Sequence, residues 1–149
     1  MYSAIVAHNI PGIKVVLPIY EQWPEHDRAM ARYAKGLLAQ SEGRAAEAIS
    51  HYRHFIAEQP DASAVRWQLA TALFQDKQNE AAADQFDKLQ TESLPPALQE
   101  RLETYRKALP ERDSWQFNAG LNIPPAQTIH QAPRQRRLSN HLTKQPCHP

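Results

Sequence analysis

Apolar residues recur at helical spacing along most of the chain up to Leu109, and turn residues interrupt them at regular intervals. The pattern predicts helices at about 27–41, 45–58, 63–76, 79–91 and 96–109. Gly43 follows an Ala-Gln-Ser-Glu run and suits the left-handed turn that ends a helix. Pro60 closes the second helix because it lacks an amide donor, and Asp61 or Ser63 is positioned to cap the third. Upstream, Val16, Ile19, Tyr20 and Trp23 share a helical face, with Pro18 acceptable only in a first turn or as a kink. In the last helix Leu98, Leu102, Tyr105 and Leu109 form one stripe, suited to cap a stack. From Ser114 the period changes to two. Trp115, Phe117, Ala119, Leu121 and Ile123 alternate with Gln116, Asn118, Gly120 and Asn122, which predicts a strand over 113–123. Residues 124–149 carry no core-forming pattern and are expected to be a disordered tail.

The helical part repeats itself. Sliding the chain along itself lays Tyr33 on Trp67, Gly36 on Ala70, Ala48 on Ala82, Tyr52 on Phe86 and Phe55 on Leu89, all at one common shift. That shift and the residue types are those of tetratricopeptide (TPR) repeats, in which two antiparallel helices pack closely. Small residues, Gly36 and Ala70 on first helices and Ala48 and Ala82 on second helices, admit that approach. Large ones, Tyr52, Phe86, Leu69 and Leu73, fill the space beside them. The fold class is therefore all-α, about five helices in TPR-like hairpins over 13–112, after an N-terminal segment 1–12 with no assigned element. The segment from Val16 to Trp23 reads as the second helix of an incomplete preceding repeat. An unrelated helical bundle with a coincidental period is the competing fold.

Charge adds little. The 17 Lys and Arg nearly balance the 16 Asp and Glu, which singles out neither nucleic acid nor membrane as a partner. The distribution is uneven. Residues 1–113 hold 13 basic and 16 acidic side chains, formally −3, and the tail adds Arg134, Arg136, Arg137 and Lys144 with no acid. Three clustered arginines are too few to argue nucleic-acid binding. The single cysteine, Cys147, excludes an internal disulfide and a cysteine metal site, and its neighbour His148 has nothing to hold it as a catalytic partner. His51 and His54 lie three apart on one helical face without a further ligand nearby, so neither metal nor cofactor is expected. No stretch is long enough to span a bilayer as a helix, no Gly-rich phosphate loop occurs, and no small-molecule substrate or catalysis is expected. Candidate partner contacts lie on the first helices, expected to line the concave face: Tyr33, Leu37, Trp67, Thr71, Phe74 and Gln75. Arg32 and Arg66, also one period apart, suit an acidic partner segment. Tyr33 and Trp67 equally suit packing between repeats, and the arginines suit ordinary solvated ion pairs.

The order of pieces resembles the surface lipoprotein assembly modulators (Slam proteins) of Gram-negative bacteria. The matching text is Leu17-Pro-Ile-Tyr, Tyr33-Ala-Lys-Gly-Leu, Ala46-Glu-Ala-Ile-Ser-His-Tyr-Arg and Gln59-Pro-Asp. It continues with Val65-Arg-Trp-Gln-Leu-Ala-Thr-Ala-Leu-Phe, Glu80-Ala-Ala-Ala-Asp-Gln-Phe, Leu94-Pro-Pro and Ser114-Trp-Gln-Phe-Asn-Ala-Gly-Leu. The resemblance implies a periplasmic TPR-like domain joined to an outer-membrane β-barrel that helps lipoproteins reach the cell surface. It implies protein partners, a lipoprotein or a chaperone. The chain departs from that pattern: no secretion signal is evident, one strand-like segment stands for the barrel, and the tail from Pro124 onward is unlike barrel sequence. A truncated or frame-shifted product that binds without translocating is therefore expected. It would reside in the periplasm or at the outer membrane by resemblance, or in the cytoplasm if no signal precedes it. A free-standing cytoplasmic TPR adaptor and a non-functional gene fragment are the alternative readings.

Overall fold

The computed structural model describes residues 1–121, with side chains through Arg112. Seven helices follow one another among them: α1 (Tyr2–Val6), α2 (Ile10–Gln22), α3 (Arg28–Ser41), α4 (Ala45–Glu58), α5 (Ser63–Gln75), α6 (Asn79–Gln90) and α7 (Pro96–Leu121). The four repeat helices lie where apolar periodicity places them, and α2 supplies the helix expected upstream. The segment 1–12, left without an element by the sequence pattern, holds α1 and the start of α2. Pro18 lies in the interior of α2, not in its first turn. It faces solvent, so only the Lys14 carbonyl loses its helical donor.

One turn is used three times. Gly43 has φ 81°, and the Arg44 N–H donates to the Ala39 carbonyl at 2.8 Å. One period on, Lys77 has φ 63°, and the Gln78 N–H donates to the Leu73 carbonyl at 3.0 Å. Between α1 and α2, His8 has φ 51°, and the Asn9 N–H donates to the Ala4 carbonyl at 2.8 Å. Each is a left-handed residue whose successor reaches back into the preceding helix, which satisfies carbonyls that a helix end leaves orphaned. Glycine announces the first turn in sequence. Lysine and histidine conceal the other two, because their left-handed backbones are imposed by the packing of flanking helices.

Helix starts are less uniform. Asp27 caps α3, accepting from the Ala29 N–H at 2.9 Å and the Met30 N–H at 3.3 Å. Asn9 caps α2 through the Gly12 N–H at 3.1 Å. Neither Asp61 nor Ser63 caps α5, contrary to expectation. Ala62 occupies that place without a side-chain bond, and the Ser63 hydroxyl donates instead to the Glu92 carboxylate.

Within residues 1–99, which form one compact unit, consecutive helices pack as hairpins: α1 on α2, α3 on α4 and α5 on α6. The hairpins join through α2 on α3 and α4 on α5, and α3 also touches α5. The first helices α3 and α5 thus approach each other. The residues expected at close crossings, Gly36, Ala48, Tyr52, Ala70, Ala82 and Phe86, are all buried. Tyr52 lies against Gly36 so closely that a Cβ there would stand 2.4 Å from its Cε1. Tyr33 meets Tyr52 edge-on at 5.9 Å, and Trp67 meets Phe86 edge-on at 5.7 Å, the same pair one period later. In α2, Ile13 and Leu17 are buried about one period before Ala48 and Tyr52, so the motif has a third copy in a different side-chain dress.

The strand expected over 113–123 is a correction. α7 continues through Leu121, and no strand occurs among the described residues. A single extended segment leaves its N–H and C=O groups without partners, whereas a helix bonds them internally. A helix already nucleated at Pro96 also extends without a second nucleation cost, each further residue gaining a hydrogen bond as it is fixed. Residues 122–123 and the tail 124–149 lie outside the described residues.

Two glycine substitutions separate the forces involved. Gly36→Ala pushes a methyl into the Tyr52 ring and is expected to lower unfolding free energy by about 1–3 kcal/mol in urea titrations of the full chain. Unchanged stability would mean that the α3–α4 crossing is loose. Gly43→Ala meets no atom within 4 Å. It is expected to cost about 1–2 kcal/mol through its left-handed backbone alone, and a Tyr52→Ala background should relieve the first substitution but not the second.

Candidate functional site

Packing claims most of the side chains that the sequence nominates for partner contact. Tyr33, Leu37, Trp67, Thr71 and Arg66 are buried, Phe74 and Arg32 are half-buried, and Gln75 is exposed. Tyr33 and Trp67 pack inside their own hairpins, against Tyr52 and Phe55 and against Phe86. Burial raises the Tyr33 phenol to about 12, and burial followed by the neighbouring Tyr33 raises that of Tyr52 as well. Both phenols therefore stay protonated near neutral pH and act as packing groups.

Thr71 belongs to a polar chain that ties three helices. The Tyr52 hydroxyl donates to Gln40 Oε1 at 2.7 Å, Gln40 Nε2 donates to Thr71 Oγ1 at 3.0 Å, and Thr71 Oγ1 donates to the Gln68 carbonyl at 2.9 Å. This chain joins the C-terminal half of α3 to α5, on the side where the first helices meet. Phe74 and Gln75 lie one turn further along α5.

Arg32 and Arg66 occupy equivalent places with different surroundings. Arg66 is only 9% exposed, donating through Nη1 to Gln85 Oε1 at 2.7 Å and through Nη2 to the Pro60 carbonyl at 2.8 Å. Arg32 lines a cleft of about 290 Å³ together with Glu21, His26, Arg28, Ala31, Lys35 and His51. Its walls are the second helices α2 and α4, and α3 forms the floor. Spacing of four and then three positions sets Arg28, Arg32 and Lys35 on one face of α3. Lys35 is held by Glu21 across the cleft at 2.8 Å. The α2–α3 connection is fixed by Tyr20, whose hydroxyl accepts from the Asp27 N–H at 2.9 Å and whose ring meets Trp23 and His26 edge-on. His26 Nδ1 in turn lies 2.6 Å from the Trp23 carbonyl and donates to it.

His51 stands on the α4 wall, 4.0 Å from Glu47. Its pKa is lowered below 6.5, chiefly by burial. Glu47 opposes that shift, and Lys35, Arg32 and His54 reinforce it. The imidazole is therefore neutral near pH 7, and the charge of the cleft comes from its two arginines beyond the Lys35–Glu21 pair. No group of three or more His, Cys, Asp or Glu suited to a metal occurs among the described residues. The cation stripe is legible in sequence at 28, 32 and 35. The cleft is not, because Glu21, His26 and His51 join it only when α2 and α4 stand on either side of α3.

Among the described residues no helix is long and apolar enough to cross a membrane. Residues 1–86 match the family model of the surface lipoprotein assembly modifier, N-terminal TPR repeats. The chain is similar to surface lipoprotein assembly modifier 1 of Neisseria meningitidis serogroup B, 58% identical over 137 residues that make up 92% of this chain and 28% of that protein. It is 41% identical to the surface lipoprotein assembly modifier of Moraxella catarrhalis, over 89% of this chain and 27% of that protein. It is 24% identical to a hemophilin secretion modulator of Acinetobacter baumannii, over 92% of this chain and 29% of that protein. The chain thus spans little more than a quarter of the length of these relatives. No solved structure matches it. A recurring hairpin, built on small residues under aromatic rings and matched by the family model over more than half of the chain, places this protein in the surface lipoprotein assembly modifier family through its N-terminal repeats.

Proposed function

We propose that the hairpin array is a non-catalytic protein-binding module that engages a surface lipoprotein during its export, on the periplasmic side of the outer membrane. The family match over the repeats carries this reading. The relatives' names connect those repeats with lipoprotein assembly and, in one case, with hemophilin secretion. The physical logic agrees. Stacked hairpins bury their shared faces and leave the outer faces of each helix free, so such an array offers extended surface and no enclosed reaction chamber. Escort of a chaperone–lipoprotein pair is a variant of the same reading, in which the chaperone makes the contact. Translocation, which concerns the whole relative, is not assigned to these residues.

Calorimetric titration of the purified full chain with a soluble, lipid-free surface lipoprotein from the encoding organism tests the proposal. Saturable binding is expected, abolished in a Gly36→Leu variant that disrupts the α3–α4 crossing. A folded chain, verified by helical circular dichroism, that binds none of the organism's surface lipoproteins would overturn it.

A further inference from the structure

We infer that the cleft between α2 and α4, with α3 as its floor, takes a carboxylate-bearing segment of a partner protein through Arg28 and Arg32. The inference deepens the binding-module reading, on which it rests, by naming the chemistry of one contact surface and the face on which it lies. That face is distinct from the one where Gln40 of α3 bonds Thr71 of α5.

The two repeats provide an internal comparison. Position 66 corresponds to 32, position 85 to 51 and position 60 to 26, each at the shift that lays Tyr33 on Trp67. In the second repeat the arginine is closed into the fold by Gln85 and by the Pro60 carbonyl. In the first, His51 stands where Gln85 would be, and Arg32 forms no hydrogen bond or ion pair among the described residues although it is half-buried. Leaving a partly desolvated guanidinium without an acceptor costs free energy, and its five donors are fixed in a fork that fits a carboxylate. A glutamine at 51 would have removed that cost, as at 85.

Arg28 adds a second unfavourable feature. It lies four positions before Arg32 on the same face, and like charges at that spacing repel. It also occupies the first turn of α3, where the helix dipole disfavours a cation, and the carboxylate at that cap, Asp27, is turned to the Ala29 and Met30 N–H groups. Both costs vanish when an anion sits between the two guanidinium groups. Lys35 is already neutralised by Glu21, so the anion's partners are the arginines. Ala31, buried beneath them, leaves the room.

An acidic peptide fits better than a polyanion. The full chain is formally only +1, too little to gather a nucleic acid or an anionic bilayer as a whole, while a short carboxylate segment feels the local +2 of the arginines. The cleft also carries the Glu21 carboxylate in its lining, and its volume suits one or two side chains, not a continuous phosphate track.

The test uses the full chain and a fluorescein-labelled peptide of alternating Asp and Ala, followed by fluorescence anisotropy. Arg28→Gln with Arg32→Gln is expected to weaken binding by about tenfold or more. Arg53→Gln, which removes an exposed arginine on α4 outside the cleft, should leave it unchanged. The His51 ring resonances should move on peptide addition to the unaltered chain. Equal loss with Arg53→Gln would reveal general charge attraction and overturn the inference. So would undiminished binding by the double variant, or preferential binding of inorganic phosphate or of phosphatidylglycerol vesicles. Lipoprotein binding without peptide binding would sink the cleft assignment and leave the module reading standing. Peptide binding without lipoprotein binding would do the reverse.

Discussion

The approach of Tyr52 to the bare Cα of Gly36 sets the geometry on which the remaining contacts depend. With no Cβ at position 36, α3 and α4 come close enough for the Tyr52 hydroxyl to reach Gln40, one turn further along the same face of α3. Gln40 then bonds Thr71 on the next hairpin. One small residue thus fixes the spacing within a hairpin and, through a polar chain, the placement of its neighbour. The second repeat uses Ala70 and Phe86 at these places, a slightly larger floor under a ring without a hydroxyl. Hydrophobic contact alone suffices there, because Phe86 needs no hydrogen-bond partner.

Much of this architecture can be read from residue types, for a physical reason. Close helix crossings admit few side chains, so Gly36, Ala48, Ala70 and Ala82 betray the crossing and the period betrays the stack. Turns are less transparent. Gly43 advertises a left-handed residue, but Lys77 and His8 adopt the same backbone without any such signal, since tertiary packing overrides their preference. The alternation from Ser114 to Ile123 misleads for a related reason. A period of two describes a strand only where partner strands exist, and in this chain α7 absorbs the segment up to Leu121.

Functional surface is harder to read than fold. A large aromatic on a first helix can anchor a partner or fill the hairpin, and spacing alone does not decide between them. The structure places Tyr33 and Trp67 in the hairpins, edge-on to aromatic rings of the second helices. Arg32 and Arg66 look equivalent in sequence, one period apart. Their difference lies in the residues that face them, His51 and Gln85, and in the backbone at positions 26 and 60. Those neighbours belong to other helices and loops, so no local pattern could rank the two arginines.

Repeats make such differences informative. Where two copies of one unit share a backbone, the side chains required by packing are held to the same size class, as Tyr33 and Trp67 or Tyr52 and Phe86 are. Positions that depart from that equivalence are free of the packing constraint and can be given to another task. Arg66 is closed into the fold by two acceptors, while Arg32 keeps its charge beside Arg28 with a neutral imidazole opposite. Stability alone would favour repeating the Gln85 solution at position 51. That the first repeat instead combines two unpaired guanidinium groups with a small floor at Ala31 is accounted for when the missing acceptor arrives from outside the chain. A stacked hairpin array then has two kinds of surface: an inner side organised by the Gln40–Thr71 link, and an outer cleft whose electrostatics are completed by a partner.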